Sequence, residues 1–304
     1  MFDLITVGHF AIDLILSPEN STPRPTLGGA PTYVSLAARR LGSKVSVISK
    51  VGEDFPDEYI AFLNANSVDL TGFTTVRGAS TTRFTIAHKD GKRILQLKSL
   101  APPILTRDIP DFLRSNAIHV APIADEVAHK VIKRLRTQTN TLSLDPQGFM
   151  RRFDRQGNMS LSRRQNSAVL TQIDVYKSSL DEIKAATGFA DFHSGMKKIH
   201  TCGAKIVIVT RGVEGSTLFS EDRFYDIPAC RPKAVKDPTG AGDSFIGAFL
   251  AEYTKAKDPV WCACVGSAAS SFVIEGVGPA VFGEKEETYE RAADVYDKVI
   301  VEKR

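Results

Sequence analysis

Asp237-Pro238-Thr239-Gly240-Ala241-Gly242-Asp243-Ser244-Phe245 is the stretch on which the reading of this chain turns. A proline and two glycines lead directly into the apolar run Phe245-Ile246-Gly247-Ala248-Phe249-Leu250. Phe245 with Phe249, and Ile246 with Leu250 and Tyr253, recur at helical spacing, which predicts a helix starting at about Ala241. Glycines at its mouth let backbone N–H groups approach a ligand with no Cβ in the way. Those first N–H groups have no intrahelical partner and carry the positive end of the dipole, so they suit an anion. Asp243 is then either an ordinary helix-start carboxylate or a base set beside a bound phosphate.

Composition bounds what can surround this turn. The 304 residues suffice for one large α/β domain with an appendage, or for two modest domains. At 42% apolar and 24% charged the chain can bury a substantial core. A formal charge of +4, spread along the chain, is too small to argue for a nucleic-acid partner. Met1-Phe2-Asp3-Leu4 opens without a basic signal region, and no apolar run approaches membrane-spanning length, so a cytoplasmic protein with no membrane partner is expected. Cys202, Cys230, Cys262 and Cys264 have no disulfide-framework spacing. Within the apolar stretch Val260 to Ala269, Cys262 and Cys264 read as buried helical thiols rather than half of a metal site.

Upstream of the turn, Phe2 to Gly8 reads as a first buried strand. Asp13 follows at the edge of a short strand, Leu14 to Leu16. It is a turn carboxylate or a ligand-binding one, because ligands of α/β sheets bind at the carboxyl ends of strands. A loop from Ser17 to Thr26 leads to Leu27-Gly28-Gly29-Ala30-Pro31, then to a helix carrying Val34, Ala37, Ala38 and Leu41 that stops at Gly42. A strand at Lys44 to Ile48 and a helix at Pro56 to Asn66 come next. Arg83 to Ala87 and Arg93 to Leu97 flank Asp90-Gly91, a hairpin signal. With Leu14 to Leu16 and Thr71 to Val76 they are expected to form a small separate sheet, one face of which must be hidden.

From residue 100 onward helix and strand alternate as parallel βαβ units require. Ala117 to Ala121 is a strand, Asp125 to Arg136 a helix and Thr141 to Leu144 a strand. The last ends at Asp145-Pro146-Gln147-Gly148-Phe149-Met150-Arg151, either a plain Pro-Gly turn or a place where Gln147 and Arg151 read a substrate. Arg151 to Arg164 reads as a solvated hairpin, with arginine–phosphate contact the sharper alternative. Asp174 to Lys177 is a strand, and Ser179-Leu180-Asp181-Glu182 fits a capping box, a complete structural explanation of Glu182. Ala204 to Thr210 is a buried parallel strand running into Arg211-Gly212-Val213-Glu214-Gly215. A hairpin at Gly215 to Phe219 and Arg223 to Ile227, a helix at Pro259 to Ile274 and a closing helix with Tyr289, Ala292, Ala293, Tyr296, Val299 and Ile300 complete the chain. Neither a P-loop nor a Gly-x-Gly-x-x-Gly turn occurs.

The nine-residue string resembles the C-terminal signature of the ribokinase-like (PfkB) carbohydrate kinase family. Gly28-Gly29 with a helix ending in Arg40-Leu41-Gly42 resembles its N-terminal signature. The resemblance implies an α/β, three-layer fold: a mostly parallel central sheet with helices on both faces, in a single domain over 1–304. It also implies a lid formed by about 13–28 and 71–98, through which a homodimer could form. Asp243 is then the catalytic base, and the amides of Gly240, Ala241 and Gly242 form the anion hole. Asp13, Gly28, Gly29 and Tyr33 lie at the acceptor; Thr210, Gly212, Gly215, Thr239 and Gly276 lie at the nucleotide. Glu182 acts through water on magnesium, although Ser179 stands where the family has Asn. The cofactors implied are ATP and Mg2+, with K+ as a monovalent cation near the loop at Gly276.

Tyr33 departs from the Asn of many sugar kinases in the family. It replaces an amide able to bond two hydroxyls by an aromatic face with one hydroxyl. Tyr33, Val7-Gly8-His9 and Gln147 to Arg151 resemble the family's myo-inositol kinases. The expected activity is therefore ATP-dependent transfer of phosphate to a hydroxyl of a small polyol, inositol leading. A nucleoside kinase, with Tyr33 stacked on the base, and a catalytically silent ligand sensor are the alternatives.

Overall fold

The computed structural model describes residues 1–16, 25–89, 92–162 and 167–302. The N-terminal part runs β1 (Phe2–Val7), β2 (Ala11–Leu16), β3 (Pro25–Gly28), α1 (Ala30–Arg40), β4 (Val45–Gly52), α2 (Asp57–Ala65) and β5 (Asp69–Val76). A hairpin of β6 (Thr82–Lys89) and β7 (Lys92–Ser99) follows. The middle consists of β8 (Ser115–Val120), α3 (His129–Arg136), β9 (Thr139–Leu144), α4 (Gln147–Met150), β10 (Arg151–Phe153), β11 (Met159–Leu161) and α5 (Ser167–Leu170). Next come β12 (Val175–Ser179), α6 (Leu180–Thr187), α7 (Phe192–Thr201), β13 (Ile206–Thr210), β14 (Ser216–Ser220) and β15 (Arg223–Ile227). The chain closes with α8 (Ala241–Tyr253), α9 (Pro259–Val273), α10 (Lys285–Tyr296) and β16 (Ile300–Glu302).

Ten strands form one sheet in the order β16-β15-β14-β13-β12-β9-β8-β1-β4-β5. It is parallel from β5 to β13 and antiparallel at the β14, β15 and β16 edge. The alternation of side chains sets the two faces. Ile5, Val7, Ile118 and Val120 face α3, α6 and α7, where they meet Val131, Leu135, Ile183 and Ile199. Leu4, Ala117, Val175 and Ile208 face the opposite layer, packing with Val34 of α1, Phe245 and Phe249 of α8, and Val265 of α9. The result is a three-layer α/β fold, as the resemblance implied. α8 lies close against α1 because Gly247 has no side chain to strike the Val34 backbone, whose Cα would be 2.8 Å from a Cβ there.

A second sheet of four strands, β3-β2-β6-β7, stands apart from the first. Its membership corrects two expectations. Thr71 to Val76 is not in it: those residues belong to β5, which pairs in parallel with β4 at the edge of the large sheet. Pro25 and Thr26, expected in a loop, instead begin β3, with Thr26 opposite Asp13. The expected segments 17–24 and the Asp90-Gly91 turn lie outside the described residues, as do Arg163 and Arg164.

Two helix ends also differ. α3 begins only at His129, because Asp125 adopts a φ of 63° and Val127 forms a bridge with Ile104. α10 stops at Tyr296, and Ile300 to Glu302 pair with β15 instead of extending the helix. Cys262 and Cys264 are free, buried thiols in α9. Among the described residues no helix is long and apolar enough to cross a membrane.

Candidate active site

α8 starts where predicted, at Ala241, behind a glycine N-cap. Gly240 has a φ of 83°, and no side chain caps the helix. That backbone angle is costly for any residue with a Cβ. A Cβ on Gly240 would also overlap the ring of Tyr33, which supports the turn from below. Gly240, Ala241, Gly242 and Asp243 are all partly exposed, so the helix tip is not plugged by protein. The Ala241 N–H turns back toward the Pro238 carbonyl at 3.3 Å. Asp237 ties this loop down: its carboxylate accepts the Thr239 N–H at 3.0 Å and the Gly278 N–H at 3.3 Å. The Thr239 hydroxyl is buried and has no partner among the described residues, as fits a group held for a ligand.

The segment after β9 reaches the same place. Gly148 allows α4 to press onto the Pro122–Ile123 backbone, where a Cβ would stand 2.6 Å from the Ile123 nitrogen. From that seat the Gln147 side-chain amide donates to Asp243 Oδ1 at 3.2 Å. Arg151 donates to Gln147 Oε1 and, at 3.2 Å, to the Ile123 carbonyl. Arg151 thus fixes the Gln147 amide, whose nitrogen is thereby aimed at the candidate base.

Sequence reading passed over a charged pair beneath the turn. The parallel register of β12 on β9 places Tyr176 beside Leu144, so the next residues, Lys177 and Asp145, meet just beyond. Lys177 Nζ lies 2.7 Å from Asp145 Oδ2, with both side chains buried. Asp145 Oδ1 accepts the Gln147 N–H at 3.1 Å. A lysine in mid-strand followed by a helix cap, and an aspartate at a strand's carboxyl end, were the available signals.

The residues expected at the acceptor form a neighbouring group. Asp13 is 3% exposed within β2, and a Cβ on Gly28 would overlap its carboxylate. Gly29, with a φ of 85°, caps α1 and abuts the His9–Ala11 backbone. Tyr33 corrects an expectation. It is only 1% exposed, and its ring lies under Gly240, so it offers no open face on which a base could stack. His9 is likewise structural: its ring bonds Thr82 of β6 at 2.8 Å and the Pro102 carbonyl at 3.1 Å. Burial holds the His9 imidazole below its ordinary pKa. Glu126, also missed, gathers N–H groups of His9, Ile123 and Ala124 on one buried carboxylate.

Of the residues expected at the nucleotide, Thr210 ends β13 and Gly212 enters a short 3₁₀ turn with a φ of 61°. Gly215 and Gly276 have packing reasons to be glycine: Cβ atoms there would stand 2.7 Å from the Ala229 nitrogen and 2.8 Å from Val281 Cγ2. The capping box of α6 is formed, with the Ser179 N–H donating to Glu182 Oε2 at 2.8 Å. Among the described residues no three His, Cys, Asp or Glu side chains converge as a metal cage.

A mostly parallel sheet carrying an uncapped, glycine-lined helix start next to an oriented carboxylate is the frame of a phosphoryl-transfer enzyme. The chain belongs to the pfkB family of carbohydrate kinases, whose family model matches residues 1–285. It is 29% identical to a cytidine kinase of Thermococcus kodakarensis over 286 residues, covering 91% of this chain and 98% of that one. It is 28% identical to an inositol 3-kinase of Arabidopsis thaliana over 284 residues, covering 92% and 76%. A solved pyrophosphate-dependent kinase of the ribokinase family, complexed with a pyrophosphate analogue and myo-inositol, superposes with a TM-score of 0.80 at 23% identity, covering 93% of this chain and 98% of that one.

Proposed function

We propose that the chain transfers the γ-phosphate of ATP to a hydroxyl of a small polyol, with a cyclitol such as myo-inositol as the first candidate. The observation that carries this reading is the Gln147–Asp243 contact, which sets the segment similar to myo-inositol kinases against the candidate base. Asp243 takes the acceptor hydroxyl's proton as its oxygen attacks the γ-phosphorus and the bond to the ADP leaving group breaks. The Gly240–Gly242 turn faces the charge on the transferring group, with amides fixed in advance. Asp13 grips acceptor hydroxyls. Magnesium bound with the donor phosphates would supply charge neutralisation. The ion would be held chiefly by phosphate and water, with Glu182 reached through water.

A nucleoside acceptor is the second reading, favoured by similarity to the Thermococcus cytidine kinase. A coupled ADP-release assay over inositols, hexoses, pentoses and nucleosides, repeated with pyrophosphate as donor, tests both. Turnover of an inositol with nucleosides untouched supports the cyclitol reading, and turnover of nucleosides alone replaces it. A protein that phosphorylates none of them is no kinase of this kind.

A further inference from the structure

Lys177 is a charged group that the mechanism above leaves without a task. Long cationic side chains are rarely buried, yet only 6% of this one is exposed, against 1% of its partner Asp145. Taking two charges out of water typically costs more than their attraction returns, so stability is a poor reason to keep such a pair. Its position offers a better one. A Cβ on Gly242 would stand 2.8 Å from the Lys177 ammonium, so the cation lies directly behind the first turn of α8. Burial presses this ammonium toward neutrality, but Asp145, Asp243 and Glu182 together outweigh it and hold its proton more tightly than in a free lysine. Three carboxylates thus bear on one ammonium next to the place where a phosphate has to sit. Without that ammonium the phosphate would meet a field set by carboxylates. With water excluded, neither the dielectric nor salt would screen much of it.

We infer that Lys177, with Asp145 as its counter-ion, is a positioning residue that fixes positive charge behind the Gly240–Gly242 turn and makes the turn receptive to the donor's phosphates. This rests on the kinase reading of the site. Lys177 acts through Gly242 and Asp243 rather than by touching the transferred group. Asp145 serves both sides of the arrangement, since it also accepts the backbone N–H of Gln147, the residue that donates to Asp243. One buried carboxylate therefore meets both the cation under the turn and the backbone N–H of the residue beside the candidate base.

Lys177→Met alone would strand the Asp145 carboxylate in the interior. The decisive protein is the Lys177→Met/Asp145→Asn double variant, in which both charges go while the Asn oxygen still accepts the Gln147 N–H. The expected result is a melting temperature within a few degrees of the parent and kcat lower by about 10–100-fold. The acceptor KM should move less than about threefold, and inorganic pyrophosphate should bind about 10-fold more weakly by calorimetry. A merely structural pair predicts a double variant with parental kcat and parental pyrophosphate affinity, and that result overturns the inference. Asp145→Asn alone keeps the cation and should bind pyrophosphate no less tightly than the parent. Weaker binding there overturns the inference too, and this variant decides the matter if the double variant does not fold. The binding arm needs no acceptor: a parent that turns over nothing refutes the kinase reading while calorimetry still judges Lys177. A parent that binds no pyrophosphate refutes the inference outright.

Discussion

Helices α6 and α8 both start beside strand β12, and they finish their N-termini in opposite ways. α6 follows β12 directly and closes its own tip: the Ser179 hydroxyl accepts the Glu182 N–H, and the Glu182 carboxylate returns to the Ser179 N–H. α8 meets β12 through Gly242 over Lys177 and leaves its tip to a glycine with no side-chain cap. α7 and α9 are capped at their N-termini by the side chains of Asp191 and Asp258. Omitting a cap forgoes roughly 1 kcal/mol, and the burial of Phe245, Ile246 and Phe249 in the first turns of α8 is ample to offset it. The contrast teaches that two helices beside one strand can end differently, one capped by its own side chains and the other left with a bare glycine start.

The sharpest way to break the contrast is at the base. Asp243→Asn should fold like the parent and bind ATP, yet lose about 10²–10⁴ in kcat, the range for a positioned general base. Steady-state kinetics with calorimetric ATP binding would show it, and near-parental turnover would remove Asp243 from the role. The two glycines that bound these helices give the next comparison. Gly240→Ala must hold a Cβ at a φ of 83° and against the Tyr33 ring, so stability should drop by more than about 2 kcal/mol and kcat by at least about tenfold. Gly188→Ala, at the C-cap of α6, has a φ of 76° but nothing within 4 Å of the added atom. It should cost about 1 kcal/mol with kcat unchanged, as thermal melts and kinetics on both variants would show.

This pair of helices also marks how far the sequence could be read. The start of α8, the α6 cap, the central strands and the β14–β15 hairpin are local: proline, glycine, capping pairs and apolar period dictate them within a few residues. β5 was assigned to the wrong sheet because its alternation, with one half-exposed face, is the same whichever neighbour it takes. Its parallel pairing with β4 is set by chain crossing, not by composition. β16 hid inside a helical period because Val299 and Ile300 continue the spacing of Ala292 and Val295. Lys177 escaped for a related reason. A lysine in a strand is ordinarily solvated, and only the register of β12 on β9 turns this one inward onto Asp145. Tyr33 could be read as a departure from a pattern, but not that its ring would be used to prop up Gly240.

The sheet beneath α8 supplies a pH test. His119 lies on the sheet face that packs under α1 and α8, bonded through Nδ1 to Ser143 at 2.9 Å. Burial, aided by the charge of Lys177, pushes its imidazole from 6.5 down to about 3. Above 6.5 the group is neutral in both folded and unfolded chains and contributes nothing. As pH falls below 6.5, the unfolded chain binds a proton that the folded one refuses, so stability declines by up to about 1.4 kcal/mol per pH unit. The decline ends only as pH approaches the folded value near 3. His9, lowered by burial as well, acts in the same direction. Carboxylates such as Asp54, held at about 2 chiefly against burial by Arg83 and Thr81, lose their contribution only at lower pH. Calorimetric melts from pH 8 to 4.5 should therefore show an early loss, and His119→Gln should make it shallower. An unchanged slope would mean that His119 is not the group being titrated.

The smallest expected effect addresses α6 itself. Its capping box explains Glu182 completely, yet the family resemblance asks the same side chain to serve magnesium through water. Ser179→Ala separates the two roles, because it removes the hydroxyl that accepts the Glu182 N–H but leaves the Ser179 N–H donating to Glu182 Oε2. Loss of the hydroxyl should cost about 1 kcal/mol of stability, seen as a small fall in melting temperature, with kcat and the magnesium requirement unmoved. Glu182→Gln keeps the box's geometry, since the amide oxygen can still accept that N–H, but removes the charge. If α6 is closed for structure alone, Glu182→Gln behaves like the parent in a magnesium titration of activity. If Glu182 also steadies the ion, the half-saturating magnesium concentration rises several-fold while the melting temperature stays put. In that case the closed helix start and the open one would be two parts of the same phosphate site, one working through its carboxylate and the other through its uncapped first turn.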